Sequence, residues 1–302
     1  MAAPKNVLVL GATGFIGQRL LPRLLERGVR VRCLTRRPEA TFPDGVETVV
    51  GDILRPETLA EAFADIDTAY YLVHAMAGGR AGFAERDRQA ALNFVTAADA
   101  AGLRRAIYLG GLGESSEGLS EHLASRLEVG RILASGTFAL TTLRAAVIIG
   151  AGGASYEIIK ALVHRLPVMV VPQWVETKCQ PIAVGDVIRY LVGCLFDEQT
   201  AGASFDIGGP DILSYKEMME HFARAAGETN LYIPVPVLTP KLSSYWVGLV
   251  TPIKASIAMP LIEGLRNEVI CRESRIREIL PFEPTPFDQA VLLALEEETQ
   301  KH

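Results

Sequence analysis

Gly11, Gly14 and Gly17 are three glycines spaced by two residues, and they stand between the apolar run Asn6–Leu10 and a leucine-patterned stretch. In that strand-to-helix context the spacing points to a backbone cradle for a dinucleotide diphosphate. Glycines suit it because the chain turns tightly, the backbone approaches the phosphates without a Cβ, and the helix packs close to its strand. Thr13, Phe15 and Ile16 belong to the same turn. Helix N–H groups and the positive dipole end then face the anion.

At the end of the second apolar run the chain reads Leu34-Thr35-Arg36-Arg37, with no Asp or Glu for a ribose 2′-hydroxyl. Arg36 and Arg37 suit a 2′-phosphate through bidentate, charge-assisted hydrogen bonds, so NADP(H) is expected over NAD(H). The competing reading is a solvated basic turn. Two readings also stand for Gly51-Asp52: a carboxylate reaching the adenine amino group, or an aspartate capping the next helix. Ile53, with Val73 and His74 after the fourth run, completes the cofactor contacts on that side. Gly110 and Gly111, after the fifth run, either leave room for the nicotinamide half or form an ordinary glycine turn.

These residues need a scaffold in which strands and helices alternate, and the pattern supplies it. Leu20, Leu21, Leu24 and Leu25 recur at helical spacing in Gln18–Arg27, and Gly28 ends that helix before the extended run Val29–Leu34. Glu47–Val50, a helix over Pro56–Phe63, Thr68–Val73, a helix over Glu85–Ala101 and Ala106–Leu109 continue the rhythm. A helix from about Ser120 to Ser135 and a strand over Ala139–Ile149 follow. The fold class expected is α/β, a doubly wound parallel Rossmann sheet over residues 1–150. A helix over Asp186–Phe196 and a strand over Ser204–Ile207 complete it from within residues 180–209. Prolines 234, 236, 240, 252 and 260 interrupt the later apolar segments, which assigns 151–179 and 210–302 to a smaller substrate lobe.

The chain has 302 residues, a net charge of -5 and four scattered cysteines, Cys33, Cys179, Cys194 and Cys271. That charge gives no broad attraction to nucleic acid, and the cysteine spacing suggests neither a zinc site nor a disulfide framework. No metal is expected. The N-terminus carries no signal-peptide pattern, and no uncharged stretch reaches the roughly 20 residues of a membrane span. A reducing cytoplasm fits best.

GATGFIG at Gly11–Gly17, Gly51-Asp52 and YLGG at Tyr108–Gly111 resemble the atypical short-chain dehydrogenase/reductases. Within that superfamily, YYLVHAM (Tyr70–Met76), RLPVMVVPQWV (Arg165–Val175), CQPIAVGDV (Cys179–Val187) and SSYWVGLVTP (Ser243–Pro252) are similar to the bacterial YbjT-like group. Its members are described as predicted nucleoside-diphosphate-sugar epimerases or NAD(P)-binding proteins. Relatives include the NmrA-like regulators and a complex I accessory subunit that holds NADPH structurally. The resemblance implies the fold and the cofactor more firmly than a reaction.

Active short-chain reductases carry Tyr-x-x-x-Lys on the helix after the fifth strand, whereas this chain offers His122-Leu123-Ala124-Ser125-Arg126. Positions i and i+4 share a helix face, so His122 could donate the proton while Arg126 supplies the positive charge. The alternative is a pair of exposed residues in the first turns of a helix. The usual serine is also replaced, by Gly110-Gly111, although Ser115 and Ser116 follow.

The substrate side, over the carboxyl ends of the strands, draws on Tyr156, Trp174, Gln180, Tyr245 and Trp246, each also open to ordinary core packing. The low-charge stretch Leu242–Leu261 reads as a greasy substrate wall or a contact between copies of a homo-oligomer. An NADP(H)-dependent oxidoreductase acting on a small hydrophobic carbonyl or quinone leads. A non-catalytic NADP(H)-binding regulatory or assembly protein comes second, and a nucleotide-sugar epimerase third.

Overall fold

A computed structural model of the chain describes residues 6–74, 82–113, 121–235 and 267–300. The N-terminal half runs β1 (Asn6–Leu10), α1 (Phe15–Glu26), β2 (Arg30–Thr35), β3 (Val46–Val50), α2 (Ala60–Phe63), β4 (Thr68–Tyr71), α3 (Phe83–Ala100), β5 (Arg105–Gly111), α4 (Glu121–Leu133) and β6 (Ala139–Ala145). There follow β7 (Ile148–Ile149), α5 (Ala154–Arg165), β8 (Val168–Pro172), β9 (Lys178–Cys179), β10 (Ile182–Ala183), α6 (Val184–Phe196) and β11 (Ser204–Ile207). Beyond these come β12 (Leu213–Ser214), α7 (Tyr215–Ala226), β13 (Leu231–Val235), α8 (Arg275–Ile279) and α9 (Phe287–Thr299).

Seven strands form one parallel sheet in the order β11-β6-β5-β4-β1-β2-β3. The direction of strand order reverses between β1 and β4, the switch point beside which doubly wound sheets bind ligands. Both faces of the central strands β1, β4 and β5 are covered, so these carry runs of consecutive buried residues, whereas the edge strand β3 stays largely exposed. In β1, Val7 and Val9 join α1 and α6 in one core, while Leu8 and Leu10 join α2, α3 and α4 in another. A third core gathers α5, α7 and α9 around Tyr156, Phe222 and Val291. Three two-stranded pairings, β7 with β10, β9 with β12 and β8 with β13, lie outside the main sheet.

Several boundaries differ from expectation for local reasons. Ala139–Ile149 is two strands, because β7 leaves the main sheet to pair with β10. Pro56–Phe63 is a 3-10 turn over Pro56–Thr58 followed by the four-residue α2. There the Thr58 hydroxyl donates to Arg55 O at 2.8 Å, competing with a regular helical ladder. Gly110 and Gly111 lie within β5, paired with Arg144 and Ala145, so they are strand residues and not a glycine turn.

One long side chain ties α1 to distant parts. The Arg19 guanidinium stacks 4.6 Å from the Phe15 ring centroid, donates to Ala151 O at 2.7 Å and pairs with Glu297 of α9 at 2.6 Å. No helix among the described residues is long and apolar enough to cross a membrane.

Candidate functional site

The turn after β1 shows why its glycines are glycines. Gly11 has φ +84°, and a Cβ there would lie 2.5 Å from the Leu72 carbonyl oxygen. At Gly17 a Cβ would meet the Gly11 carbonyl oxygen and come within 2.6 Å of the Ala12 Cα. No side chain fits either place, so β1, β4 and α1 approach backbone to backbone. Gly14 N–H donates to Gly11 O at 3.0 Å, and Gln18 N–H to Gly14 O at 3.0 Å. The Phe15, Ile16 and Gly17 N–H groups therefore lie ahead of the helical ladder. Gly14, the N-cap residue, has no side chain to satisfy them, and the first turn carries no acidic residue. Donors, dipole and bare backbone fit a diphosphate.

The remaining candidate cofactor residues sit at the ends of neighbouring strands. Arg36 and Arg37 are exposed just past β2. Buried Thr35 fixes their turn by accepting from Arg37 N at 3.2 Å. After β3, Asp52 Oδ1 accepts from Leu54 N at 3.0 Å, and Asp52 N donates to the Thr58 hydroxyl at 3.0 Å. One carboxylate oxygen is thus spent on its own loop. Ile53 is buried, and its carbonyl accepts from Asn93 Nδ2 at 2.8 Å. Val73 packs partly buried against the α3 side, beside His74.

Beyond β4 and β5 the site becomes ionisable. His74 Nδ1 lies 3.0 Å from Oδ2 of Asp87 on α3, and the Ser125 hydroxyl of α4 donates to the same oxygen at 3.3 Å. Burial, then the charge of Arg126, lowers the His74 pKa below its ordinary value, opposed by the Asp87 carboxylate. Arg126 stands 5.8 Å from the Tyr108 ring centroid, and the Tyr108 hydroxyl donates to Arg126 O at 3.0 Å. A Cβ at Gly111 would touch Leu123 at 3.3 Å and Arg126 at 3.8 Å, so Arg126 borders the bare end of β5. His122 falls in the first turn of α4, and its side chain lies outside those described.

The substrate side needs correction at two positions. Tyr156 is fully buried in the third core, 5.6 Å edge-on from Phe222, and its hydroxyl donates to Glu298 at 3.3 Å. Gln180 is buried too, with Nε2 donating to Gly209 O at 2.7 Å and Oε1 accepting from Cys271 N at 3.0 Å. Their polar ends are used internally, so neither is placed to meet a ligand. The Trp174 side chain, and Ser115, Ser116, Tyr245 and Trp246, lie outside the described residues, as does Leu242–Leu261.

A cavity of 560 Å³ opens beside the end of β5, lined among others by Leu112, Gly113, Arg131, Arg144, Glu268 and Arg272. Arg144 pairs with Asp206 at 2.7 Å across adjacent strands. This wall is charged, a feature that the strand-and-helix periodicity of the sequence does not reveal. Its members come from β6, α4, β11 and the segment 268–273, far apart in the chain.

Residues 11–160 match a family model described as NAD(P)H-binding. The chain is 25% identical over 256 residues to the chloroplastic divinyl chlorophyllide a 8-vinyl-reductase of Zea mays, a match covering 78% of this chain and 63% of the reductase. It is 31% identical over 106 residues to the photosystem II assembly factor Ycf39 of Synechocystis, covering 34% of this chain and 32% of that factor. The chain thus spans less than two thirds of the length of either relative. Among solved structures, a short-chain dehydrogenase/reductase superfamily protein of Agrobacterium tumefaciens with bound NAD superposes with a TM-score of 0.71 at 16% identity, covering 98% of each chain.

Proposed function

We propose, from the match of residues 11–160 to a family model described as NAD(P)H-binding, that the chain is an NADP(H)-dependent oxidoreductase of the atypical short-chain class, acting on a small carbonyl compound. The observation that carries this reading is the open start of α1, where a glycine turn presents three N–H groups with no capping side chain. Arg36 and Arg37 receive the 2′-phosphate, and Thr35 holds their turn. Asp52 and Ile53 border the adenine, while Val73, Gly110 and Gly111 border the nicotinamide half. When bound, the cofactor supplies two-electron transfer to or from a carbonyl carbon.

The chain's own part is to bind, to place charge and to move a proton. Arg126 supplies positive charge at the end of β5, and His122 on the same helix is the proton donor that the sequence offers. An apolar carbonyl or quinone follows from Leu242–Leu261, while the charged wall around Arg144 favours a substrate that also carries a polar or ionised group.

Calorimetry with NADP+ and NAD+ tests the cofactor. Charge-assisted hydrogen bonds worth about 1.5–3 kcal/mol put the loss of NADP+ affinity on replacing Arg36 and Arg37 with Ala at ~10- to 100-fold, with NAD+ affinity unchanged. Equal affinity for both nucleotides in the unaltered chain removes the NADP preference. NADPH consumption across quinones, enones, aldehydes and carboxylated carbonyls tests the reaction, and His122→Phe is expected to abolish it.

A second reading has its own support, because Tyr-x-x-x-Lys is replaced by His122 and Arg126, and one relative is named as an assembly factor. In that reading the chain holds NADP(H) as a ligand in a regulatory or assembly protein. Tight binding without turnover across the whole panel favours it. An epimerase would need the same missing acid-base pair.

A further inference from the structure

The cavity beside the end of β5 carries charge that the cofactor does not use. Arg144 stands in β6 directly between Gly110 of β5 and Asp206 of β11, on the sheet face opposite Leu143 and Ala145. Its side chain is 35% exposed and lines the 560 Å³ cavity together with Arg131 of α4 and the segment 268–273. That volume suits a small molecule. We propose that the cavity is a subsite for an anionic oxygen group of the substrate, a carboxylate or a phosphate, with Arg144 and Arg131 as its cationic ligands. This rests on the cofactor reading above, which sets the nicotinamide half at Gly110, one strand spacing of about 4.8 Å from Arg144.

Three arginines and three acids line the cavity, and they are not equally committed. Asp206 pairs through Oδ1 with Arg144 Nη2 at 2.7 Å and accepts from Arg272 N through Oδ2 at 2.9 Å. Glu273 accepts from Asp206 N at 2.7 Å and from both N and Nε of Arg275 at 3.0 Å. Both carboxylates are therefore consumed by donors of the wall itself. Arg144 gives Asp206 one of its nitrogens, and a guanidinium has five N–H donors, so donors remain on its exposed part. Arg131, exposed in the last turn of α4, makes no ion pair among the described residues. Glu268, exposed on the opposite wall, is the acid that works against an anion.

Asp206 is buried and acts through Arg144, which makes it a positioning residue. A guanidinium already held in place loses little side-chain freedom when a ligand arrives, so its charge-assisted hydrogen bonds count nearly in full. The substrate class that follows is a small carbonyl compound with an anionic group close to the carbonyl. Its anion rests on Arg144 and its carbonyl carbon points toward Gly110.

Calorimetry on the full chain saturated with NADP+ tests the subsite with benzoate, phenyl phosphate and benzamide, which share a ring and differ in charge. At least one anion is expected to bind about 10-fold or more tightly than neutral benzamide, and the better of the two decides between carboxylate and phosphate. Arg144→Met is expected to erase that preference. Arg131→Met is expected to lower anion affinity about 2- to 5-fold, Arg131→Lys to keep most of it, and Glu268→Gln to raise it, with benzamide unchanged throughout. If Arg144→Met fails to fold because Asp206 loses its partner, the exposed positions Arg131 and Glu268 still decide. No preference for either anion, or a preference untouched by both Arg131→Met and Glu268→Gln, overturns the subsite alone. Absence of NADP+ binding overturns the cofactor reading, and the same series on the bare chain then decides the subsite by itself.

Discussion

Two helices of this chain begin in opposite ways. At α7, the Ser214 hydroxyl accepts from Glu217 N at 3.1 Å, and a Glu217 carboxylate oxygen accepts from Ser214 N at 2.6 Å. Lys178 pairs with the same carboxylate at 2.6 Å. The helix start is closed by its own side chains, a capping box that serves stability. At α1 the equivalent place holds Gly14, with no hydroxyl and no carboxylate, in a turn where Gly11 and Gly17 leave no room for a Cβ. Donors left open in this way cost stability in the empty chain and make room for an anion. The difference between a closed helix start and one open to an anion thus lies in what is withheld.

The largest break in this contrast comes from Gly17→Ala, whose methyl group meets backbone atoms of Gly11 and Ala12 that have nowhere to move. Overpacking of this kind costs about 1–3 kcal/mol, read as a lower urea midpoint, and NADP+ binding is expected to vanish from calorimetry. Retained affinity would mean that the turn is not the cradle. Ser214→Ala is expected to cost about 1 kcal/mol by the same denaturation measurement while NADP+ affinity stays unchanged. A drop in affinity would show that the two helix starts are coupled.

The smallest effect concerns pH. The Lys178 ammonium, then the Ser214 N–H, hold the Glu217 carboxyl down from 4.5 to about 2. A depressed folded value contributes stability above the unfolded pKa, here above pH 4.5, and that stability is lost as pH falls toward 2. The Glu217 side chain is about 41% exposed, so solvent screens the effect. Glu217→Gln is expected to flatten only this part of the acid limb of a stability-pH profile. A change above pH 6 would place its origin elsewhere.

The sheet and the glycine turn were legible because their signals are local. Gly11, Gly14 and Gly17 sit within one turn, and the leucines of α1 repeat at the period of the helix that buries them. The helix α7 was missed, because 210–302 read only as a proline-interrupted lobe, although Ser214-Tyr215-Lys216-Glu217 spells a capping box. Other features depended on distance in the chain. Nothing in the spacing from His74 to Asp87 announces a pair, because the contact arises only when α3 folds back over β4. Gln180 read as a polar group facing a ligand, yet Gly209 and Cys271 consume its amide from later segments.

Arg19 makes the first helix and the last share one mechanical fate. A guanidinium anchored on Phe15, beside the glycine turn, also grips Glu297 near the end of α9 and the carbonyl of Ala151. Any ligand that shifts the start of α1 must carry this three-way knot with it. On the proposed cofactor reading, a nucleotide set against the start of α1 would load α9 through Arg19, and a charge reversal at Glu297 would free one arm of that guanidinium.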